Sequence, residues 1–344
     1  MPARDRLTVE DLRVSFARGS LEAVRGVSLT IAPGEAYGLV GESGSGKSLT
    51  CRAILGLTPP GAAVSGRITY GTTSLLDVGE EEMERLRGSR IAMIFQDPMA
   101  SLNPVLTVGE AIAQIVRSHA PMDRAAARRR AVEMMERVGI REAAKRADAY
   151  PHQFSGGMRQ RILIAMALSA RPSLLLADEP TTALDVIVQA EILRLLDRLR
   201  REERMSMLFV SHNLAVVANI CERVGVMYAG ELVEEGPTRE VLLDPRMPYT
   251  AGLIASMPGR RASGRLRSIA GAPPALHESA GGCRFAPRCP LADDDCRQQR
   301  IPLIDVGTHR QARCIRSERV SAMAAPVEPS ARPERLASME QDGA

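Results

Sequence analysis

Eight consecutive residues, Gly41-Glu42-Ser43-Gly44-Ser45-Gly46-Lys47-Ser48, fit the pattern G-x-x-x-x-G-K-S. They follow a short apolar run, Tyr37-Gly38-Leu39-Val40, and precede a helical stretch from Thr50 to Leu57, so the loop joins a strand to a helix as the pattern requires. Glycines let backbone amides converge on an anion without Cβ obstruction, and the start of a helix adds partial positive charge. Lys47 is suited to neutralise the outer phosphates of a nucleoside triphosphate, and the Ser48 hydroxyl to ligate Mg2+. Much later, Leu174-Leu175-Leu176-Ala177-Asp178-Glu179 reads as an apolar strand ending in two carboxylates. Asp178 is suited to hold the Mg2+ shell, and Glu179 to polarise an attacking water. Strands often end in acids, so this motif is weak alone; with the phosphate loop it points to a P-loop nucleoside triphosphatase.

A third motif narrows the class. Phe154-Ser155-Gly156-Gly157-Met158-Arg159-Gln160-Arg161 opens the apolar helix Ile162 to Ser169. Read alone, Ser155 is a helix N-cap. Together with the loop and the acids, it resembles the signature Leu-Ser-Gly-Gly-Gln of ABC transporter ATP-binding subunits, with Phe154 for Leu and Met158 for Gln. Over about residues 7–255 the rest of that family's pattern follows in order: Gln96 after the strand Ile91 to Phe95, Ala183-Leu184-Asp185 at the D-loop, and His212 after the strand Met207 to Val210.

The resemblance implies catalytic roles for Glu179, His212 and Gln96, and Mg2+ ligation by Ser48, Gln96 and Asp178. It implies ATP contacts from Gly41 through Ser48, from Leu49, Gln96 and Asp178, and from Phe16 stacked on adenine. It also implies that Ser155, Gly156 and Gly157 close over ATP held by a second, homologous ATPase subunit, either a second copy or, as the importer branch named next suggests, a different but similar subunit in a heterodimer. A narrower likeness, in Gln96-Asp97-Pro98-Met99-Ala100-Ser101-Leu102-Asn103-Pro104, Gly156 to Arg161 and Pro248-Tyr249-Thr250, is to the ATPases of dipeptide and oligopeptide importers. Those work with two transmembrane permease subunits and, indirectly, an extracytoplasmic substrate-binding protein, at the cytoplasmic face of the inner membrane.

Four late cysteines, Cys283, Cys289, Cys296 and Cys314, are separated by five, six and seventeen residues. They lack the close C-x2-C pairs of zinc ribbons. Four thiolates suit a 4Fe-4S cluster, with Zn2+ or free thiols as alternatives; the importer likeness favours the cluster. Cys51 and Cys221 read as small core residues.

These residues need a scaffold. The 344 residues correspond to roughly two domains at about 150 residues each. Hydrophobic residues make up 45% and charged residues 25%, enough for a sizeable core and inconsistent with wholesale disorder. Alternation at Leu12, Val14 and Phe16, and at Val27, Leu29 and Ile31, predicts antiparallel strands. From Thr107 to Ala170 the pattern is helical, and short apolar strands then alternate with the helix Ile187 to Arg201. The expected fold is therefore α/β, with a parallel core sheet covered on both faces. The resemblance adds an antiparallel β subdomain and an inserted helical subdomain at about 97–170. The ATP-binding domain is expected over 1–255, a small irregular extension with the cysteines over 256–316, and a disordered tail over 317–344.

The net charge is only +4 and aromatics only 3%, so neither a concentrated basic face nor base-stacking surface argues for nucleic acid. No apolar run reaches the ~18–20 residues of a membrane span, and Met1 to Glu10 lacks a signal-peptide core, so a cytoplasmic chain is expected. A soluble ABC-type ATPase acting on DNA or ribosomes would show two cassettes or a long coiled coil, and neither is present. A small-molecule kinase would not need the signature or the switch histidine.

Overall fold

A computed structural model describes residues 5–182, 184–257, 268–278 and 281–320. The chain opens with β1 (Leu7–Phe16) and β2 (Leu21–Ile31), paired antiparallel as the alternation predicts. β3 (Ala36–Val40) follows and leads through the glycine-rich loop into α1 (Lys47–Ile54). β4 (Ala63–Tyr70) and β5 (Thr73–Ser74) complete a four-stranded antiparallel sheet of order β2-β1-β4-β5. α2 (Glu80–Leu86) then precedes β6 (Ile91–Ile94).

The helical stretch contains α3 (Pro98–Ser101), α4 (Val108–His119), α5 (Arg124–Arg137), α6 (Ala143–Arg146) and α7 (Gly156–Leu168). The long helices start at side-chain caps that satisfy orphan amides: Thr107 accepts from Glu110 N, Asp123 from Ala126 N and Ser155 from Met158 N. Next come β7 (Leu174–Asp178), α8 (Val186–Glu203), β8 (Ser206–Ser211), α9 (Leu214–Ala218), β9 (Arg223–Tyr228) and β10 (Glu231–Pro237).

The second sheet has the order β11-β12-β10-β9-β3-β8-β7-β6, where β11 (Ile304–Gly307) and β12 (Arg310–Ala312) come from the late, cysteine-bearing part of the chain. Strands β9, β3, β8, β7 and β6 are parallel; β10 runs antiparallel to both β9 and β12. Every residue of β3, β7 and β8 is buried. This explains their near-continuous apolar sequence, since a parallel strand covered on both faces has no solvent side. Alternate β3 residues serve opposite cores. Tyr37 and Leu39 join the core under the antiparallel sheet, and Ala36 and Val40 the core under the helical stretch.

α10 (Thr238–Leu243) and α11 (Pro248–Ala255) follow β10. α12 (Asp295–Gln298) and α13 (Ser317–Val320) belong to the extension. The expected tail beyond Val320 lies outside the described residues, as do 258–267 of the Pro/Gly-rich connection. The extension is fastened to the sheet by a buried ion pair, Arg310 Nη2 to Glu234 Oε1 at 3.2 Å. Arg313 adds bonds to the Leu232 and Ile301 carbonyls.

One expectation for the extension is overturned. Cys283, Cys289, Cys296 and Cys314 do line one cavity, but its volume is about 10 Å3, room for at most a single water. All four are free thiols, and among the described residues no group of His, Cys, Asp or Glu is arranged to hold a metal ion. Burial is the leading cause that raises each thiol above its ordinary range, Cys283 to about 11 and Cys314 to about 12. Neither the 4Fe-4S cluster nor Zn2+ is supported; Cys314 lies in the larger core, with Cys283 and Cys289 packed against it.

Candidate nucleotide-binding site

The phosphate loop follows β3 directly, and its backbone needs glycine at two points. Gly41 has φ +157°, and a Cβ there would come within 2.1 Å of the Met227 carbonyl oxygen. Gly46, at φ +101°, would bring a Cβ to 2.9 Å from the Ala23 carbonyl. Gly46 is also the N-cap of α1, which has no side-chain cap, so its first amides are left for another acceptor. Lys47 is only 4% exposed. Its ammonium folds back to donate to the Gly41 carbonyl at 2.9 Å, the Glu42 carbonyl at 2.8 Å and Ser45 Oγ at 3.2 Å. Burial lowers its pKa against the pull of Glu179, Asp178 and Glu42. A cation held by neutral carbonyls is incompletely compensated, and phosphate is the partner such a site lacks.

Ser48 Oγ donates to Asp178 Oδ1 at 2.7 Å. Burial raises the Asp178 carboxyl, and the Ser48 bond opposes that rise. A hydroxyl and a carboxylate side by side are the hard oxygen donors that Mg2+ takes, alongside waters and phosphate. The two residues meet because β3 and β7 flank β8 and end at the same edge of the sheet.

Glu179 sits one residue past β7 with φ +47°, an uncommon left-handed conformation for a non-glycine residue. Its amide donates to the Val210 carbonyl at 3.0 Å, tying it to β8. Its Oε2 accepts from Thr182 Oγ1 at 2.9 Å and Gln96 Nε2 at 3.3 Å, and lies 3.1 Å from His212 Nδ1. The ends of β6, β7 and β8 thus deliver Gln96, Glu179 and His212 to one carboxylate oxygen. Thr182 was not evident from sequence; its only signal is a hydroxyl three residues after the acid, where the turn Thr182 N to Glu179 O brings it back.

A cavity of about 650 Å3 connects these groups, running from Gln96 and Glu179 over Gly44, Gly46, Lys47, Ser48 and Leu49 to Ala23 and Pro273–Leu276. Of the expected contacts, Gly41, Glu42, Ser45 and Asp178 are not in its lining, and neither are Phe16 and the signature residues. Phe16 ends β1 outside the cavity lining. Ser155 caps α7, and Gly156 and Gly157 open it: a Cβ on Gly157 would meet Val188 Cγ1 of α8 at 2.6 Å, and one on Gly156 would lie 3.8 Å from Leu184. Asp185 caps α8, accepting from Ile187 N and Val188 N. Ala183, also expected in the D-loop, lies outside the described residues. Two further contacts to the loop come from residues not expected at the nucleotide site: Glu42 N donates to Tyr249 Oη at 2.8 Å, and the Glu42 carboxylate holds Arg288 at 2.8 and 3.0 Å.

A glycine loop between a buried parallel strand and a helix, with its serine bonded to the acid at the end of a second strand, defines a P-loop nucleoside triphosphatase. Comparison with known proteins narrows this. The ABC transporter family model matches residues 24–182, and that of the oligopeptide/dipeptide transporter C-terminal region matches 233–296. A peptide import ATP-binding protein of Brucella abortus (strain 2308) is 47% identical over 332 residues, which are 92% of this chain and 98% of that protein. The oligopeptide transport ATP-binding protein OppD of Bacillus subtilis (strain 168) is 48% identical over 310 residues, 88% of this chain and 87% of that protein. Among solved structures, the dimeric ATP-binding cassette MJ0796 bound to ADP and Pi is 30% identical with a TM-score of 0.61, covering 68% of this chain and 99% of that one. The chain belongs to the ABC transporter ATP-binding family, whose members bind ATP with Mg2+ and hydrolyse it. Among the described residues no helix is long and apolar enough to cross a membrane.

Proposed function

We propose that this chain is the ATP-hydrolysing subunit of an importer of dipeptides or oligopeptides, with residues 1–255 as the cassette and 256–316 as an extension packed on it. The reading of substrate rests on the named relatives and on the matching C-terminal region. The reading of chemistry rests on one observation: Gln96, Thr182 and His212 converge on Glu179 Oε2 beside the Lys47, Ser48 and Asp178 cluster.

Lys47 exchanges its three neutral oxygens for phosphate oxygens of ATP, which supply the negative charge that its buried ammonium lacks. The amides of residues 43–48 cradle the same phosphates. Ser48, Asp178 and Gln96 hold Mg2+, which neutralises charge on the triphosphate when bound. Glu179 accepts a proton from water as the water oxygen bonds to the γ-phosphorus and the bridging oxygen leaves with ADP. His212 and Gln96 hold the Glu179 carboxylate and the γ-phosphate end in register. Ser155, Gly156 and Gly157 do not line the chain's own cavity, which supports their action on ATP held by a second ATPase subunit. Two permease subunits would supply the membrane path and keep this subunit at the cytoplasmic face, with an extracytoplasmic binding protein delivering peptide.

The test is Glu179→Gln, which keeps the shape and hydrogen bonds but removes the base. It should bind Mg·ATP with near-unchanged affinity and hydrolyse it about 100-fold slower or worse. Full turnover in that variant would remove Glu179 from the role given to it.

A further inference from the structure

The phosphate loop carries a carboxylate of its own. Glu42 is its second residue, and a negative charge there opposes the triphosphate that the loop must receive. That charge is felt inside the site, since Glu42 is one of the three carboxylates that pull on the buried Lys47 ammonium. The cation that answers it comes from outside the cassette. Arg288 lies in the short 3-10 turn Ala286–Arg288 of the C-terminal extension. It donates through Nη1 to Glu42 Oε2 at 2.8 Å and through Nη2 to Glu42 Oε1 at 3.0 Å. Such two-pronged pairing is among the strongest that a guanidinium and a carboxylate can make. Among the described residues Arg288 is the one ion-pair partner of Glu42.

Both partners are held in place. The Arg288 side chain is 5% exposed. Its guanidinium carbon lies 5.7 Å from the ring centre of Tyr228 and 5.8 Å from that of Phe285, and its Nε donates to the Ala270 carbonyl at 2.9 Å. Tyr228, Phe285 and Tyr249 pack on one another with ring centres 4.6 to 5.4 Å apart, and Tyr249 Oη accepts the Glu42 amide. One aromatic trio therefore fixes Arg288 by its ring faces and Glu42 by its backbone. Arg284, a second buried arginine of the extension beside the loop, gives its bond to the Glu278 carbonyl at 3.1 Å instead. We propose that Arg288 is a positioning residue of the nucleotide site: by neutralising Glu42 it lets a loop that bears a carboxylate accept the phosphates of ATP. The C-terminal extension thereby contributes a charge to nucleotide binding, acting through Glu42. This rests on reading Gly41–Ser48 as the phosphate cradle.

The experiment measures Mg·ATP binding to the full chain by calorimetry in Arg288→Gln, Glu42→Gln and the variant carrying both, with Arg288→Lys as the conservative control. Arg288→Gln leaves the Glu42 charge unpaired and should weaken ATP binding on the order of tenfold. Arg288→Lys keeps a cation and should retain most of the affinity. Glu42→Gln keeps the cation without its partner and should tighten binding. The double variant lacks the ion pair but has no charge on either side, so it should regain most of what Arg288→Gln loses. A double variant that binds as poorly as Arg288→Gln would reduce the pair to a fastening between extension and cassette. Weaker binding by Glu42→Gln would say the same, even if Arg288→Gln did not fold. Either result overturns the proposal, as does unchanged affinity in Arg288→Gln. Failure of the unaltered chain to bind Mg·ATP would instead strike the reading of the phosphate cradle, and this inference with it.

Discussion

Single residues carry most of the chemistry, and their visibility in the sequence tracked how local their role is. Lys47 and Ser48 stand in a contiguous pattern whose backbone demands glycines, so eight letters identify them. Gln96, Glu179 and His212 follow one another at intervals of 83 and 33 residues along the chain and become a group only because three parallel strands end together. Thr182 has no motif at all, yet it bonds the same Glu179 oxygen. Thr182→Val should therefore lower the ATPase rate several-fold without weakening ATP binding, since it removes one of the donors that orient the carboxylate. Steady-state kinetics that left the rate untouched would make that bond incidental. The cysteines were the opposite case: their spacing was legible, but a one-dimensional pattern carries no information on burial. Their raised pKa values give the correction a test. The folded thiols titrate above the unfolded value of 9.0, Cys283 at about 11 and Cys314 at about 12, so the fold binds these protons more tightly. Their contribution to stability is complete below pH 9 and is lost as pH rises toward 12. Thiolate absorbance of the native protein should accordingly rise only in that alkaline window, and near pH 9 once the chain is unfolded. Native absorbance already rising near pH 9 would show that the thiols are not buried as described.

At the scale of elements, periodicity sufficed where one element has one environment. β1 and β2 alternate because one face is buried, and β3, β7 and β8 are continuously apolar because both are. It failed for β11 and β12, whose four and three residues are too short to show a period. They join the sheet through only two register pairs, Glu234 with Ala312 and Glu235 with Gln311. Side chains must therefore hold them. Arg310 pairs with Glu234, which is fully buried and whose carboxylate also accepts from the amides of Arg246 and Met247. Burial already raises the Glu234 pKa against these bonds. Arg310→Met removes the cation and leaves a buried carboxylate, at a cost of about 3 kcal/mol. Chemical denaturation should show the midpoint falling, with Arg310→Lys recovering part of the loss. An unchanged midpoint would mean that backbone pairing alone fastens these strands.

For the whole molecule, the decisive fact is a separation. The residues that cradle phosphate and those of the signature were both readable from sequence, yet they do not line one cavity: Lys47 lines it, whereas Ser155, Gly156 and Gly157 do not, and the two glycines lie by Leu184 and Val188. Beside them Val186 and Ile187 are 80% and 74% exposed, apolar surface that a solitary chain has no reason to present. If the signature acts on ATP held by another subunit, one chain holds two half-sites, and defects in different halves can be separated. A pair formed from Glu179→Gln and Ser155→Ala chains has one site with both defects and one site with neither. Each variant alone has a defect in every site. Mixing the two in equal amounts should thus restore hydrolysis toward about a quarter of the unaltered level, since about half of the pairs are mixed and each has one intact site, and the specific activity of the unaltered chain should rise with its concentration as pairs form. The ATPase assay is the measurement for both. Activity proportional to concentration throughout, with mixtures no better than their components, would rule out a site shared between two copies of this chain.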